Sequence, residues 1–350
     1  MEINVRRSPL SWAAGAGHYE AVMLLLGHED ISPDLPDNRG RTPLSWAAES
    51  GHDRVVRLLL GREDVDPDFP DSDGQTPVAW AAMEGHVGVV RLLLKREDVN
   101  PNAEDSDHRT PAYWAAMGGY VEVLRLLLER GGVNPNTEDP DHRKLVSWAA
   151  EMGQDGVVEL LMGCHGIELD IPDNFGRTPL SWAVEKGHVG VVELLLGQED
   201  VNPNRPDNRG QIPLLYAASF GFDAVVELLL EREDINPNMQ CNVGRTPLWQ
   251  AASLGHKGVV QLLLEQEDVN PNLCDNHGRA PLSWAAIHGY EETVELLLER
   301  DDIDPSIRDE NDNTAFMYSL IMRHAGVQRL LLQWQVANPD RVIGFSQERP

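Results

Sequence analysis

Gly40-Arg41-Thr42-Pro43-Leu44-Ser45-Trp46-Ala47-Ala48-Glu49-Ser50-Gly51-His52-Asp53-Arg54-Val55-Val56-Arg57-Leu58-Leu59-Leu60 decides the fold. Thr42 is a good N-cap, and Pro43 stands at the first helical position, where its missing N–H costs nothing. Leu44, Ala47 and Ala48 follow at helical spacing, and the alanines let a neighbouring helix approach closely. Gly51 ends this short helix and His52 begins a turn. A second helix follows from about Asp53, with Val55, Val56, Leu59 and Leu60 on one face. It stops before Val65-Asp66-Pro67-Asp68, because the residue before a proline avoids helical angles. The polar run Phe69-Pro70-Asp71-Ser72-Asp73-Gly74 reads as a turn or hairpin leading to Thr76-Pro77. Neither helix is long enough to be stable alone, so stability must come from stacking.

The unit recurs every 34 residues without insertion, ten times in 350 residues. Proline opens it at Pro9, Pro43, Pro77, Pro111, Pro179, Pro213, Pro247 and Pro281, with Leu145 and Ala315 in the other two slots. Three residues further on stand Trp12, Trp46, Trp80, Trp114, Trp148, Trp182, Tyr216, Gln250, Trp284 and Tyr318. A fixed period of this size predicts an all-α repeat solenoid of helix-turn-helix units joined by hairpin loops. The expected organisation is one elongated array over residues 1–336, with units opening near 9, 43, 77, 111, 145, 179, 213, 247, 281 and 315. The last unit reads as a degenerate cap, and residues 337–350 as a loosely ordered tail.

The wording Thr42-Pro43-Leu44-Ser45-Trp46-Ala47-Ala48, then Gly51-His52, Val55-Val56 and Leu58-Leu59-Leu60, resembles the ankyrin repeat. The likeness recurs in about nine units. Gly-Arg-Thr-Pro-Leu-Ser-Trp-Ala-Ala with Glu-Asp-Val-Asn-Pro-Asn is similar to ankyrin arrays of filamentous fungi, which often sit behind an NTPase or nucleosidase-like domain; no such domain is read in these residues. There are departures. Serine replaces the signature histidine at Ser11, Ser45, Ser147, Ser181 and Ser283, and Glu63-Asp64-type pairs replace the glycine that commonly ends the second helix. The resemblance implies a non-enzymatic protein-binding scaffold that grips its partner in an inner groove.

Net charge is −28, from 29 basic and 57 acidic side chains, which repels phosphate backbones and argues against nucleic acid. The acid recurs as pairs such as Glu97-Asp98 and Glu233-Asp234, read as a solubilising edge. No stretch approaches the roughly 20 apolar residues that cross a bilayer. Three cysteines without framework spacing fit a reducing compartment, so a cytoplasmic or nuclear location is expected. Met1 to Leu10 lacks a signal-peptide core.

Catalytic and metal readings are weak. His18, His52, His86, His188 and His256 recur one unit apart at a turn, as structural histidines would. Cys164-His165 lacks metal-ligand spacing around it. Asp64 to Asp68 superficially suggests a calcium loop, but Phe69 and Gln75 stand where glycine and glutamate are required. No catalytic residue, metal or cofactor is expected.

Two rows remain as candidate contacts. The first is Trp46, Trp80, Met83, Trp114, Met117, Trp148, Met152, Trp182, Tyr216, Phe220, Trp249, Leu254 and Trp284, either stacking core or groove lining. The second is an arginine row whose expected contacts are Arg109, Arg143, Arg177 and Arg245. Asp37, Asp71, Asp105, Asp139, Asp173, Asp207 and Asp275 stand four residues before their units' row position, which favours an internal Arg–Asp ladder over a basic strip for a partner. Tyr216 and Gln250 break the aromatic row and mark the first place to seek a partner.

Two alternatives stay open: a sensing module of a larger receptor-like protein, and a small-molecule pocket using Cys164, His165, Tyr216 and Trp249. The start is odd. Leu10, Ala13, Ala14 and Leu25 are expected to form an uncovered stacking face, from which follows either a longer parent chain or a partner on that end. A monomer is expected unless that face is covered.

Overall fold

The computed structural model describes residues 7–130 and 132–343. The chain divides into two compact units, Met1–Asn174 and Phe175–Pro350. In the first, the opening helices of successive repeats are α1 (Pro9–Gly15), α3 (Pro43–Glu49), α5 (Pro77–Met83), α7 (Pro111–Met117) and α9 (Leu145–Glu151). Their following helices are α2 (Tyr19–Leu26), α4 (Asp53–Leu60), α6 (Val87–Leu93), α8 (Val121–Glu129) and α10 (Asp155–Met162). The second unit has opening helices α11 (Pro179–Lys186), α13 (Pro213–Phe220), α15 (Pro247–Leu254), α17 (Pro281–His288) and α19 (Ala315–Ile321). They alternate with α12 (Val189–Leu196), α14 (Asp223–Leu230), α16 (Lys257–Leu264), α18 (Glu291–Leu298) and α20 (Ala325–Ala337). Within each unit an opening helix packs on the next opening helix, and a following helix on the next following helix. The all-α repeat architecture holds: no strand forms among the described residues, and the hairpin loops show one isolated bridge, Glu138 to Lys144.

The core is the pattern read from the sequence. Leu44, Ala47, Ala48, Val55, Val56 and Leu59 are all buried. Caps set the helix starts. The Thr42 hydroxyl accepts the Ser45 N–H at 3.2 Å, and the two side-chain hydroxyls lie 3.1 Å apart. The serine that replaces the signature histidine is thus buried beside its own cap, as Ser181 is beside Thr178.

The turn histidines tie neighbours together. The Nε2 of His52 contacts the Gly15 carbonyl at 3.1 Å, His86 that of Glu49 at 2.8 Å, and His256 that of Ser219 at 3.1 Å. Tyr120, Gln154, Phe222 and Tyr290 stand in the same slot of other repeats. Gly51 must be glycine, because its φ is +72° and a Cβ would lie 2.6 Å from the His86 ring.

Part of the acidic edge works as a clamp. Arg62 reaches the Leu26 carbonyl at 3.2 Å while Asp64 holds its guanidinium with two contacts of 2.7 Å. Arg96, Arg232 and Arg300 do the same for Leu60, Leu196 and Leu264, held by Asp98, Asp234 and Asp302. Each guanidinium satisfies a carbonyl that the end of a helix leaves open.

An amide ladder runs beside it. The Asn204 side chain donates to the Asp234 carbonyl at 2.6 Å and accepts the Asn236 N–H at 2.7 Å. Asn136, Asn238 and Asn272 repeat the pair of bonds. Asp34 and Asp68 occupy the same register, and each accepts the N–H of the next repeat through Oδ2, leaving Oδ1 buried with no partner. Burial pushes both carboxyls above their usual range. Replacing both by asparagine should therefore stabilise the first unit by about 1 kcal/mol per site at neutral pH, through the missing donor. A raised folded-state value means that the protonated form favours folding and that this contribution is lost as pH rises through that value. The gain in urea midpoint should shrink toward acid pH, where the aspartates regain a proton to donate. An equal or lower midpoint at neutral pH would refute the assignment.

The first end needs correction. Leu10, Ala13 and Ala14 are buried, because α1 turns them toward α2 and α3, and Leu25 is partly exposed; the exposed apolar residues there are Trp12, Met23 and Leu24. Beyond α20 the Ile343 N–H donates to Gln335 at 2.8 Å and its side chain is buried, while 344–350 lie outside the described residues.

Candidate functional site

The aromatic row is built from the loop upward. Asp37 stands in the hairpin nine residues before Trp46. Its Oδ1 accepts the N–H groups of Arg39 and Arg41 at 2.8 and 3.0 Å, closing the turn. Its Oδ2 accepts the Trp46 indole N–H at 3.0 Å. One buried carboxylate thus fixes loop and helix together. Asp71 with Trp80, Asp139 with Trp148 and Asp275 with Trp284 repeat the bond at 3.0, 2.9 and 3.3 Å. Asp207 accepts the Tyr216 hydroxyl at 2.6 Å, and Asp309 accepts that of Tyr318.

One repeat breaks the pattern by reassigning its partners. Asp105 Oδ2 is taken by Gln75 Nε2 at 2.5 Å and Arg109 Nε at 3.0 Å, and the Trp114 indole N–H stays buried without a partner. In the eighth repeat the carboxylate and its ring disappear together: Cys241 stands in the aspartate slot and Gln250 in the aromatic slot. Trp249 sits one residue earlier, 1 % exposed, donating to the Arg279 carbonyl at 3.0 Å and meeting Trp284 edge-on at 5.1 Å. The expectation that Trp249 lines a groove is revised, since it packs beneath the surface.

The arginine row lies over these rings. Arg41 stacks on Trp46 at 3.5 Å, Arg143 on Trp148 at 3.5 Å, and Arg109 on Trp114, Arg177 on Trp182 and Arg279 on Trp284 at 4.4 to 4.5 Å. The Arg–Asp ladder forms at Arg109–Asp105 and Arg279–Asp275. A glutamate eight residues on is also a partner, in Arg41–Glu49, Arg143–Glu151 and Arg177–Glu185. The sequence reading missed that glutamate because it looked only toward the loop; the co-occurrence of Arg41 with Glu49, Arg143 with Glu151 and Arg177 with Glu185 was the available signal.

Exposure sorts the candidates. Trp46, Trp182 and Tyr216 are buried, as is Arg143. Trp80, Met83, Trp114, Met117, Trp148 and Trp284, with Arg109, Arg177 and Arg245, are partly exposed. Met152, Phe220 and Leu254 are exposed. Within the second unit Phe220, Leu254, His288 and Met322 stand one repeat apart and all are exposed, at the ends of the opening helices. Phe220 stacks on Phe222 at 5.6 Å, and His288 lies between Trp284 and Tyr290, each ring 5.6 Å away.

The pocket reading gains little from this geometry. Burial pushes the Cys164 thiol up, away from the thiolate that a nucleophile needs. Among the described residues no helix is long and apolar enough to cross a membrane.

A family model described as ankyrin repeats (3 copies) matches residues 2–71, 63–139, 146–241 and 233–309. A comparison with curated proteins returned no match.

Proposed function

The chain belongs to the ankyrin-repeat family, whose repeats are generally protein–protein interaction modules, and from that premise we propose that it is a scaffold whose protein partner docks along the opening helices of the second unit. The observation that supports this reading is the exposed column Phe220, Leu254, His288 and Met322, whose side chains make no hydrogen bond among the described residues. Exposed aromatic and methionine side chains adapt to a partner and supply the few anchors that dominate binding. Trp46 and Tyr216, by contrast, are occupied in bonds to Asp37 and Asp207 of their own repeats, and Trp182 is buried beneath Arg177.

The test uses the intact chain and random short peptides displayed on phage. The variant Phe220→Ser/Leu254→Ser/Met322→Ser should lose the selected peptides by tenfold or more, at about 1.4 kcal/mol per factor of ten, while its melting temperature stays within a few degrees. Undiminished binding by this variant, or a selection that yields no peptides on the intact chain, overturns the reading.

A further inference from the structure

We infer that Arg245, with Gln250 beside it, is a recognition point for an aspartate or glutamate side chain on the segment that docks along the second unit. This rests on the docking surface proposed above and adds the chemistry of what it takes. In the second unit the arginine row consists of Arg177, Arg245 and Arg279, with Gln211 and Asn313 in the other positions. The acid that an arginine of this row pairs with stands four residues before it, eight residues after it or, for Arg109 with Asp107, two residues before it. Arg279 uses the first, Asp275, and Arg177 the second, Glu185.

For Arg245 those places hold Cys241, Ser253 and Val243, so none of them supplies a carboxylate. Among the described residues its guanidinium makes no ion pair and no hydrogen bond; it rests on the Trp249 ring at 4.4 Å, partly exposed. Gln250 is also partly exposed, and its side-chain amide has no partner among the described residues. Gln250 and Leu254 are one helical turn apart and share a face of α15, so the amide opens beside the apolar column, one residue from the ring that carries the cation.

Charge distribution around the site agrees. The opening helices Pro213–Phe220, Pro247–Leu254, Pro281–His288 and Ala315–Ile321 contain no Asp, Glu, Lys or Arg. The chain's net charge of −28 is therefore carried by other segments, and at physiological salt charges beyond about 8 Å are largely screened. Asp207 and Asp275, which fill the aspartate slot in the two adjoining repeats, are buried and bound to Tyr216 and Trp284. A lysine or arginine on the docking segment would face Arg245 as a like charge. A carboxylate would find a planar fork of donors on a ring that limits its motion, the arrangement in which Arg–carboxylate bonds are strongest.

The experiment takes the peptides selected on the intact chain and compares each with its Asp→Asn or Glu→Gln counterpart, on the wild type and on Arg245→Gln. Selected peptides should carry Asp or Glu close to Leu, Phe or Trp. The amide counterpart should bind the wild type about tenfold more weakly, and Arg245→Gln should weaken the acidic peptide by a similar factor. The two changes together should cost no more than either alone, and Arg245→Lys should recover part of the loss. Selected peptides that lack acids or are rich in Lys and Arg, or losses that simply multiply, overturn this inference. The Phe220/Leu254/Met322 variant reports separately on the docking surface: its failure with intact Arg245 coupling would move the surface, whereas loss of coupling with intact apolar anchoring would remove only the carboxylate.

Discussion

Trp249→Ala is expected to destabilise the second unit by about 4 kcal/mol, the largest single effect in the chain. The ring is 1 % exposed, meets Trp284 at 5.1 Å and donates its indole N–H to the Arg279 carbonyl. Removing it leaves a cavity in a tightly packed helix interface, because alanines on both neighbouring helices already bring the backbones close. It also strips the ring on which Arg245 rests. Since repeats couple to nearest neighbours, the loss should appear as an early urea transition of the second unit. A loss below about 1 kcal/mol would mean that the ring is not part of the core. Binding changes seen with this variant would report unfolding, which is why the exposed column is the proper target.

Asp207→Ala is expected to cost about 3 kcal/mol. Its carboxylate accepts the Arg209 and Gln211 N–H groups, both at 2.8 Å, and the Tyr216 hydroxyl at 2.6 Å. Deleting it opens the turn and leaves a buried phenol without its acceptor. Tyr216→Phe should cost clearly less in the Asp207→Ala background than in the wild type, a coupling that a double-mutant cycle in urea measures. Burial, and then Asp207, push the Tyr216 phenol above its usual value. The neutral phenol therefore contributes stability that is present below the ordinary tyrosine range, about pH 10, and lost as pH rises through the folded value. Tyr216→Phe should remove that alkaline loss. Additive costs in the cycle would contradict the keystone role of Asp207.

The helices and core were legible because the 3.6-residue period, the Thr-Pro starts and the glycine stops all agree in most repeats. Leu44, Ala47, Val55 and Leu59 could be assigned to the core by position alone. The bond from Asp37 to Trp46 was not legible in the same way. It spans nine residues, crosses from loop to helix, and follows neither helical nor strand spacing. Its trace lies in the exception: Cys241 and Gln250 replace carboxylate and ring in the same repeat. Without that link the aromatic row read equally as core or groove lining, and the structure divides it residue by residue. Tyr216, a conspicuous broken rung, still makes the carboxylate bond through its hydroxyl. Gln250 does not, and it stands beside the arginine that has lost its acid.

The most direct measurement of where a partner docks is photo-crosslinking from single positions of the intact chain. A benzophenone side chain placed at Leu254, exposed on α15, should form adducts with the selected peptides, while one at Glu227, exposed on α14, should form none. Adducts from position 227 without adducts from position 254 would contradict the account.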